Sequence, residues 1–237
     1  LHLACDEEYV EAFNELFERV VSDQLRSLTP VGVMLSGGLD STSDAATAAT
    51  LLARKGQRLA AFTEVPREGF NGTVLPGRYA DETPFVQAIA DMYDNLDLNL
   101  VRTDGRFYLE DIESFFAATG HIFPNTSNRI WWETIFHEAQ QQGVRVLMTG
   151  MNGNMTISWD GSGLLPQLLG KGKWWRAMHE ARAKHQRGDL RGTLRILVSK
   201  GVMPWLPDVL YTGINRLRNR KPPSMWSCSP IRSEFAQ

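Results

Sequence analysis

The residues best suited to chemistry form one short run, Ser36-Gly37-Gly38-Leu39-Asp40-Ser41, directly after the apolar stretch 31–35. Its two glycines permit a tight turn and let backbone N–H groups approach an anion without a Cβ in the way. The alanine-rich segment that follows predicts a helix, whose N-terminal N–H groups and dipole also favour an anion. Ser36 and Ser41 can add hydroxyl donors. The run therefore predicts a phosphate-binding loop between a strand and a helix.

Asp40 is the residue of this run that repels phosphate. A carboxylate beside phosphates is useful when a cation such as Mg²⁺ lies between them. The loop lacks the Gly-Lys-Ser/Thr of a Walker A sequence. It resembles instead the pyrophosphate loop (PP-loop) of the N-type ATP pyrophosphatases, Ser-Gly-Gly-x-Asp-Ser/Thr, which cleave ATP between the α- and β-phosphates. A glycine turn that merely caps a helix is the alternative, but every discriminating position matches.

The bulk composition is that of an ordinary globular protein. The chain has 237 residues, 43% hydrophobic and 22% charged, enough for one large domain or two small ones. No apolar run approaches the roughly 20 residues of a membrane helix. Cys5 and Cys228 are the only cysteines, which argues against a disulfide framework and favours a reducing, cytoplasmic location. We expect neither a nucleic-acid nor a membrane partner.

Charge is distributed unevenly along the chain. Residues 170–237 carry 14 Lys and Arg against 4 Asp and Glu, whereas residues 1–169 carry 11 against 23. This contrast predicts two structural parts. Together with the PP-loop resemblance and the end of strand patterns near residue 161, it gives an ATP-binding α/β core over 1–160 and a basic helical extension of the same domain over 161–237. The basic part is interpreted as solvated helix faces or as attraction for an acidic partner or peptide.

Apolar runs alternate with helical periodicity through the first 150 residues. The predicted elements are helices over 7–28, 41–55, 106–118 and 128–142, a helix opening at 81–84, and strands over 31–35, 59–65, 98–101 and 144–150. This order predicts a doubly wound parallel sheet, in which ligands bind at the carboxyl ends of the strands. The loops after Leu35, Val65 and Met148 are therefore candidates for one site.

Finer details of the helices are also predicted. Asp6 is a plausible N-cap for the first helix. Phe85, Ile89 and Met92 are expected to form the buried stripe of the helix that opens at 81–84. After about residue 161 the strand patterns stop, and residues 163–221 are predicted to be helices separated by Gly and Pro.

The order of these pieces resembles the synthetase domain of glutamine-dependent asparagine synthetases, whose fold is of the PP-loop ATP pyrophosphatase (adenine nucleotide alpha hydrolase-like) type. The resemblance spans most of residues 7–235. It is carried by the loop 30–41, by Asp81-Glu82 followed by Ala88 and Ala90, by a strand ending in Thr149-Gly150, and by Met225-Trp-Ser-Cys-Ser-Pro-Ile-Arg232-Ser-Glu-Phe235.

This resemblance implies an ATP-dependent amide-forming ligase that uses ATP and Mg²⁺, as in asparagine biosynthesis. A substrate carboxylate attacks the α-phosphate of ATP, giving an acyl-adenylate and pyrophosphate, and ammonia or an amine then attacks the activated carbonyl. Donors and a metal at the loop would stabilise the departing pyrophosphate. The implied pyrophosphate and metal contacts are Ser36, Gly37, Gly38, Asp40 and Ser41, and the implied adenosine contacts are Leu35, Thr63, Thr149 and Gly150.

The chain departs from the family pattern after its fourth strand. Asn154 stands where an Asp is expected and Met155 where a Glu is expected. An amide can still hydrogen-bond phosphate or give one neutral oxygen to a metal, but it brings no charge. Asn154 is therefore the second metal-ligand candidate beside Asp40, and Asp160 is a compensating carboxylate.

The general base of the asparagine-forming branch, a Glu in the loop before the helix at 128–142, is not evident. His121 lies in that loop and has a suitable unperturbed pKa, which makes it the candidate catalytic base. Glu133 is a second candidate. An isolated loop histidine is more often an ordinary surface residue.

These departures are similar to the branch that forms amide bonds in peptide natural products, as in lasso-peptide macrolactam cyclases. The aromatic residues Trp131, Trp132, Trp174, Trp175 and Trp205 suit a peptide substrate or, equally, packing in the core. The family's N-terminal glutaminase domain and its distal helices have no counterpart in this chain. Two interpretations stay open: the chain is an excised part of a longer protein that holds these parts and supplies ammonia, or catalysis by the chain is doubtful.

Two further functions stay open. Another PP-loop enzyme, such as a tRNA-modifying thiolase or a GMP synthetase type, would need catalytic cysteine pairs or a nucleic-acid surface, and neither Cys5 nor Cys228 is placed for thiol chemistry. An ATP-binding homologue without turnover is motivated by Asn154, Met155 and the missing base.

Overall fold

The computed structural model describes residues 3–74, 79–103, 105–107, 109–120, 126–159, 161, 163–185 and 189–217. In chain order the elements are α1 (Asp6–Gln24), β1 (Val31–Met34), α2 (Leu39–Ala53), β2 (Leu59–Glu64), α3 (Thr83–Ala90), β3 (Leu96–Val101), α4 (Ile112–Thr119), α5 (Thr126–Gln141), β4 (Val146–Thr149), a 3₁₀ turn (Gly153–Met155), α6 (Leu164–Gly170), α7 (Trp174–Ala183), α8 (Leu190–Ile196), a π-helical segment (Leu197–Val202), a 3₁₀ turn (Met203–Trp205) and α9 (Asp208–Leu217). None of the helices within these ranges has the length and apolar content needed to cross a bilayer.

The strands of the described chain form one parallel sheet in the order β3-β2-β1-β4. Val31 of β1 lies opposite Leu59 of β2 on one side and opposite Val146 of β4 on the other. The chain thus builds outward from β1 to β3 and then returns to the far side of β1. The strand order reverses between β1 and β4, which is where such sheets bind ligands.

Helices cover both faces of the sheet. Because successive strand residues point to opposite faces, β1 and β2 feed two apolar clusters. Val31 and Val33 belong to the cluster covered by α1, α2 and α3. Phe62 belongs to the other, where Ile135 and Ala139 of α5 pack. The predicted α/β, doubly wound parallel architecture is confirmed.

Two predicted helix starts are wrong. The helix predicted over 106–118 begins at Ile112, because Gly105 and Asp111 adopt left-handed backbone angles (φ +79° and +55°) that interrupt a right-handed helix. Cys5, and not Asp6, is the N-cap of α1. Asp6 lies in the first turn instead, where its charge complements the positive end of the helix.

The predicted buried stripe of α3 needs correction. Phe85 and Met92 are 40% and 69% exposed, whereas Val86 is completely buried and Ile89 packs partly against the core. Helix α3 ends at Ala90, so Met92 lies beyond it. Phe85 lies beside the position of a Cβ on Gly37, at 3.1 Å, and thus packs against the phosphate loop and not the core.

The chain divides into two compact units, Leu1–Trp159 and Asp160–Gln237. The first contains the whole sheet. The described part of the second is helical, around a small core that includes Leu165, Leu168, Ala177 and Ala181. Its tryptophans Trp174, Trp175 and Trp205 are 63%, 90% and 62% exposed, so the core interpretation is wrong for these three. Trp131 and Trp132 of α5 are half-buried.

Candidate active site

The phosphate loop lies between the end of β1 and the start of α2, as its sequence predicted. Gly38 is the N-cap of α2 and, as a glycine, has no side chain to cap the first-turn N–H groups. The first-turn N–H groups and the positive end of the helix dipole are therefore available to an anion. This arrangement suits the β- and γ-phosphates of a nucleotide.

The side-chain hydroxyl groups of Ser36 and Ser41 hydrogen-bond within the phosphate loop and stabilise its turn. Ser36 Oγ and Ser41 Oγ lie 2.8 Å apart, and Ser41 Oγ accepts a hydrogen bond from Ser36 N–H at 3.1 Å. Ser36 Oγ accepts in turn from Gly38 N–H at 3.2 Å. Ser41 is buried, whereas Ser36 is partly exposed at the wall of a cavity. Ser41 thus shapes the loop, and Ser36 is the serine better placed to reach a ligand.

Asp40 has one satisfied and one unsatisfied oxygen. Its Oδ2 accepts a hydrogen bond from Ser158 Oγ at 3.0 Å, and its Oδ1 is buried without a hydrogen-bond partner among the described residues. An uncompensated buried carboxylate oxygen is costly unless a ligand completes it. Asp44, one turn further along α2, has a pKa raised by burial and, to a lesser extent, by the charge of Asp40.

The loop after β4 packs directly on the phosphate loop. A Cβ on Gly150 would come within 2.8 Å of the Ser41 backbone nitrogen, and a Cβ on Gly153 within 2.2 Å of Asp40 Cγ. These two glycines therefore permit an approach that no other residue allows. They bring Asn154 to the same place, where its Oδ1 lies 3.1 Å from Ser158 Oγ.

Mg²⁺ fits the residues present. The described residues contain no cluster of three or more His, Cys, Asp or Glu side chains that could enclose a metal. Mg²⁺ does not require one, because it is commonly held by one or two carboxylates together with substrate phosphates. The Oδ1 of Asp40, which has no partner among the described residues, would supply the carboxylate. The Asn154 amide oxygen, 3.1 Å from the Ser158 hydroxyl that also contacts Asp40, is the second candidate ligand.

A cavity of about 430 Å³ opens beyond the carboxyl ends of β1, β2 and β4, and we call it the nucleotide cavity after the ligand predicted from the sequence. Its described lining includes Met34, Leu35, Ser36, Gly38, Leu39, Asp40, Ser41, Phe62, Glu64, Trp132, Ile135, Thr149, Gly150, Met151, Asn154 and Ser158. The volume lies in the range typical of ligand pockets. Of the predicted adenosine contacts, Leu35, Thr149 and Gly150 line it. Thr63 instead lies buried behind Leu35, to whose carbonyl oxygen its hydroxyl donates at 2.8 Å.

A second carboxylate already contacts the loop. The N–H of Gly37 donates to Glu82 Oε2 at 2.8 Å. Glu82 precedes α3 and belongs to the Asp-Glu pair noted in the sequence. Its carboxylate thus occupies one donor that a bound phosphate would use.

Glu64 ends β2 and lines the nucleotide cavity. Burial raises the pKa of its carboxyl from 4.5 to about 7, and the charge of Glu82 adds to the increase. Sequence reasoning missed this residue. The available signal was an acid at the carboxyl end of an otherwise apolar run, beside the strand that carries the phosphate loop.

A larger cavity of about 920 Å³ shares the Glu64 wall, and we call it the acceptor-side cavity after the substrate proposed for it below. Its described lining is Glu64, Val65, Pro66, Arg67, Phe70, Thr73, Val74, Tyr79, Ala80, Glu82, Thr103, Gly105, Arg106, Phe107 and Trp131. Phe70, Tyr79 and Phe107 expose about half or more of their surface there. Arg67 forms no ion pair with any residue that the structure describes, so its charge is free to meet an anionic substrate.

The other arginine of this wall is fixed by an ionic network. Arg106 pairs with Glu110 at 3.4 Å and with Glu133 at 3.2 Å. Arg129 is almost wholly buried and pairs with the other oxygen of Glu133. Its guanidinium also donates to the carbonyl oxygen of Glu110 and lies over the ring of Phe115. The two carboxylate oxygens of Glu133 are therefore each paired with an arginine.

Some predicted residues lie outside the described residues. These are the candidate base His121, the compensating Asp160, Cys228 and the final motif Met225–Phe235. Cys5 is an exposed free thiol.

Ser158 and Arg129 were not identified from the sequence, because their importance depends on partners that the fold supplies.

Comparison with known proteins agrees with the motif pattern. The family model described as asparagine synthase matches residues 12–201, which is most of the chain. No curated protein matches the chain significantly.

Proposed function

The chain belongs to the asparagine synthase family, a family of ATP-dependent ligases, and we propose that it forms an amide bond by activating a carboxylate with ATP. The observation that carries this proposal is Asp40 of the phosphate loop, whose Oδ1 is buried without a partner among the described residues and which lines the nucleotide cavity. ATP is what the family uses, and AMP and pyrophosphate are the products we propose.

In the first step, a carboxylate oxygen of the substrate attacks the α-phosphorus of ATP. The bond between the α-phosphorus and the bridging oxygen breaks, and pyrophosphate leaves. The loop N–H groups, the start of α2 and Ser36 would hold the departing charge. Leu35, Thr149 and Gly150 would hold the adenosine part, since they line the nucleotide cavity.

In the second step, an amine or ammonia attacks the acyl carbonyl and AMP leaves. Asp40 and Asn154 would hold Mg²⁺, which when bound neutralises part of the phosphate charge. We propose a cytoplasmic site of action, where ATP and Mg²⁺ are abundant. Ammonia from a glutaminase domain is the simplest nitrogen source for the family.

A peptide acceptor is the second candidate, as in macrolactam formation. The observation that favours it is the acceptor-side cavity, whose 920 Å³ and aromatic walls exceed what ammonia or a single small amino acid needs. On this alternative, the carboxylate and the amine belong to one peptide.

The test is product analysis with ATP, Mg²⁺, a nitrogen donor and a panel of carboxylates: L-aspartate, L-glutamate and short peptides that carry Asp or Glu side chains. AMP and pyrophosphate are expected with at least one of them. Release of ADP and phosphate would refute the proposal. Tight ATP binding without turnover would favour an ATP-binding homologue instead.

Asp40→Ala should reduce pyrophosphate release by about 100-fold or more, because it removes the metal-binding carboxylate from beside the developing charge. The matched control is Asp44→Asn, one turn away on the same helix, which should change the rate only slightly. Unchanged pyrophosphate release in Asp40→Ala would contradict the site assignment.

A further inference from the structure

Glu64 lies where two cavities meet. It is the last residue of β2, and its neighbour β1 carries the phosphate loop. Its side chain lines the nucleotide cavity on one side and the acceptor-side cavity on the other. Of the carboxylates in the described chain, it is the one that both cavities share. A reaction between an activated acyl group in the first cavity and an amine from the second would take place beside it.

Amide formation requires a proton acceptor at this point. The attacking nitrogen gains positive charge as its bond to the acyl carbon forms, and it must lose a proton before AMP can leave productively. Glu133 is held by Arg106 and Arg129. Glu82 accepts from Gly37 N–H. Glu64 forms no ion pair with any described residue.

We infer that the amine enters from the acceptor-side cavity and that Glu64 accepts its proton as the amide forms. This inference rests on the proposed ligase function. In the step, the amine lone pair forms the N–C bond, the C–O bond to AMP breaks with its electron pair leaving on AMP, and one N–H proton moves to a carboxylate oxygen of Glu64. No oxidant or reductant is needed, and the proton returns to solvent when the product leaves.

The electrostatic surroundings suit this role. Burial brings the pKa of Glu64 to about 7, so the carboxyl is partly ionised at neutral pH and is a stronger base than an exposed glutamate. The charged groups around it are Glu82, which raises the pKa further, Asp40 on the nucleotide side, and Arg67 and Arg106 on the acceptor side. Glu82→Gln should therefore lower the pKa of Glu64, while burial keeps it above 4.5.

The experiment separates the two chemical steps in wild type and Glu64→Gln. The first is followed by exchange of labelled pyrophosphate into ATP, and the second by amide formation with methylamine, using whichever panel carboxylate releases most AMP. Exchange should stay within about threefold of wild type, while methylamide formation should fall by about 100-fold. With hydroxylamine in place of methylamine, the rate of the second step should fall by a smaller factor in Glu64→Gln. Hydroxylamine is a much weaker base, and its attacking nitrogen therefore loses its proton more easily.

The control is Glu68→Gln, an exposed glutamate four residues further along that does not line either cavity. It should leave both steps unchanged. In wild type, the rate of methylamide formation per concentration of unprotonated methylamine should rise with pH through about 7, and this rise should disappear in Glu64→Gln. Titration of the Glu64 carboxyl carbon by NMR provides the same pKa directly.

The possible failures are distinguishable. If wild type releases no AMP with any panel carboxylate, the ligase function itself is refuted. If Glu64→Gln forms methylamide at the wild-type rate, or if His121→Ala alone abolishes it, the role of Glu64 is refuted and the ligase function stands. A Glu64 carboxyl that titrates near 4.5 also overturns the inference.

Discussion

The two cavities of the sheet-containing unit are built in different ways. The nucleotide cavity is bounded at the phosphate loop by closely packed main chain, with Gly150 against Ser41 and Gly153 against Asp40. The acceptor-side cavity is bounded by aromatic rings and charged side chains that are partly exposed, such as Phe70, Phe107 and Arg67. The first is fixed by backbone geometry and therefore tolerates little change. The second depends on side-chain chemistry, which can be altered without disturbing the sheet.

The strongest test of this contrast is Gly153→Val. Its Cβ would fall 2.3 Å from Asp40 Oδ2, so either the loop or the carboxylate must move. Displacement of about 1 Å at a reacting centre can cost on the order of 100-fold in rate, and we expect AMP release to fall by about that much. Gly213→Ala, at a helical glycine with open space around it, is the control and should be neutral.

Folding should be checked by circular dichroism in both glycine variants. If folded Gly153→Val releases AMP at the wild-type rate, the contact between the two loops is not needed for catalysis. The nucleotide cavity would then not depend on backbone geometry.

Arg67→Ala tests the acceptor-side cavity. Loss of a charged hydrogen bond should reduce kcat/KM for an amine substrate that carries a carboxylate by about tenfold, while the KM for ATP stays unchanged. Arg145→Ala, at an exposed arginine just before β4 and thus at the amino end of the strands, is the matched control. A parallel rise in the KM for ATP would mean that the two cavities are not functionally separate.

The smallest expected effect concerns stability. The pKa of Glu64 is higher in the folded protein than its ordinary 4.5, so its contribution to stability is fully present below pH 4.5 and is lost as pH rises through about 7. Glu64→Gln has no ionisable carboxyl at this position and therefore should not lose this stability as pH rises. Because the group is partly solvated, the gain in Tm relative to wild type should be only about 2–4 °C at pH 8 and smaller at pH 5.

Differential scanning fluorimetry of wild type, Glu64→Gln and Glu68→Gln at both pH values measures this effect. A difference between wild type and Glu64→Gln that does not change between pH 5 and pH 8 would show that Glu64 is not a buried ionisable group. The boundary between the cavities would then lack its titrating carboxyl.

The contrast between the cavities also explains what the sequence could predict. The loop at 36–41 and its flanking elements depend on short-range features: glycines at the turn, an apolar strand before it and a helix after it. Such features lie within about a dozen residues, so the fold class and the phosphate loop followed from them. The start of α4 was missed because the left-handed backbone at Asp111 leaves no mark in side-chain periodicity.

Other parts of the site depend on long-range contacts. Ser158 reaches Asp40 across 118 residues, and Gly37 reaches Glu82 across 45. Glu64 becomes unusual only because β2 pairs with β1 and α3 brings Glu82 nearby. These relationships follow from sheet order and register, which local patterns do not encode. The acceptor-side cavity likewise draws on segments from Glu64 to Trp131.

The hydrogen bond from Gly37 N–H to Glu82 has a consequence for turnover. A carboxylate of the protein itself accepts from the loop amide that a phosphate would use on the proposed function. Binding of ATP would then exchange one anion for another on a loop that is already ordered. The reverse exchange would let Glu82 accept from the amide again as pyrophosphate departs. On that proposal, Glu82 would compete with the nucleotide, lowering its affinity and favouring release of the first product.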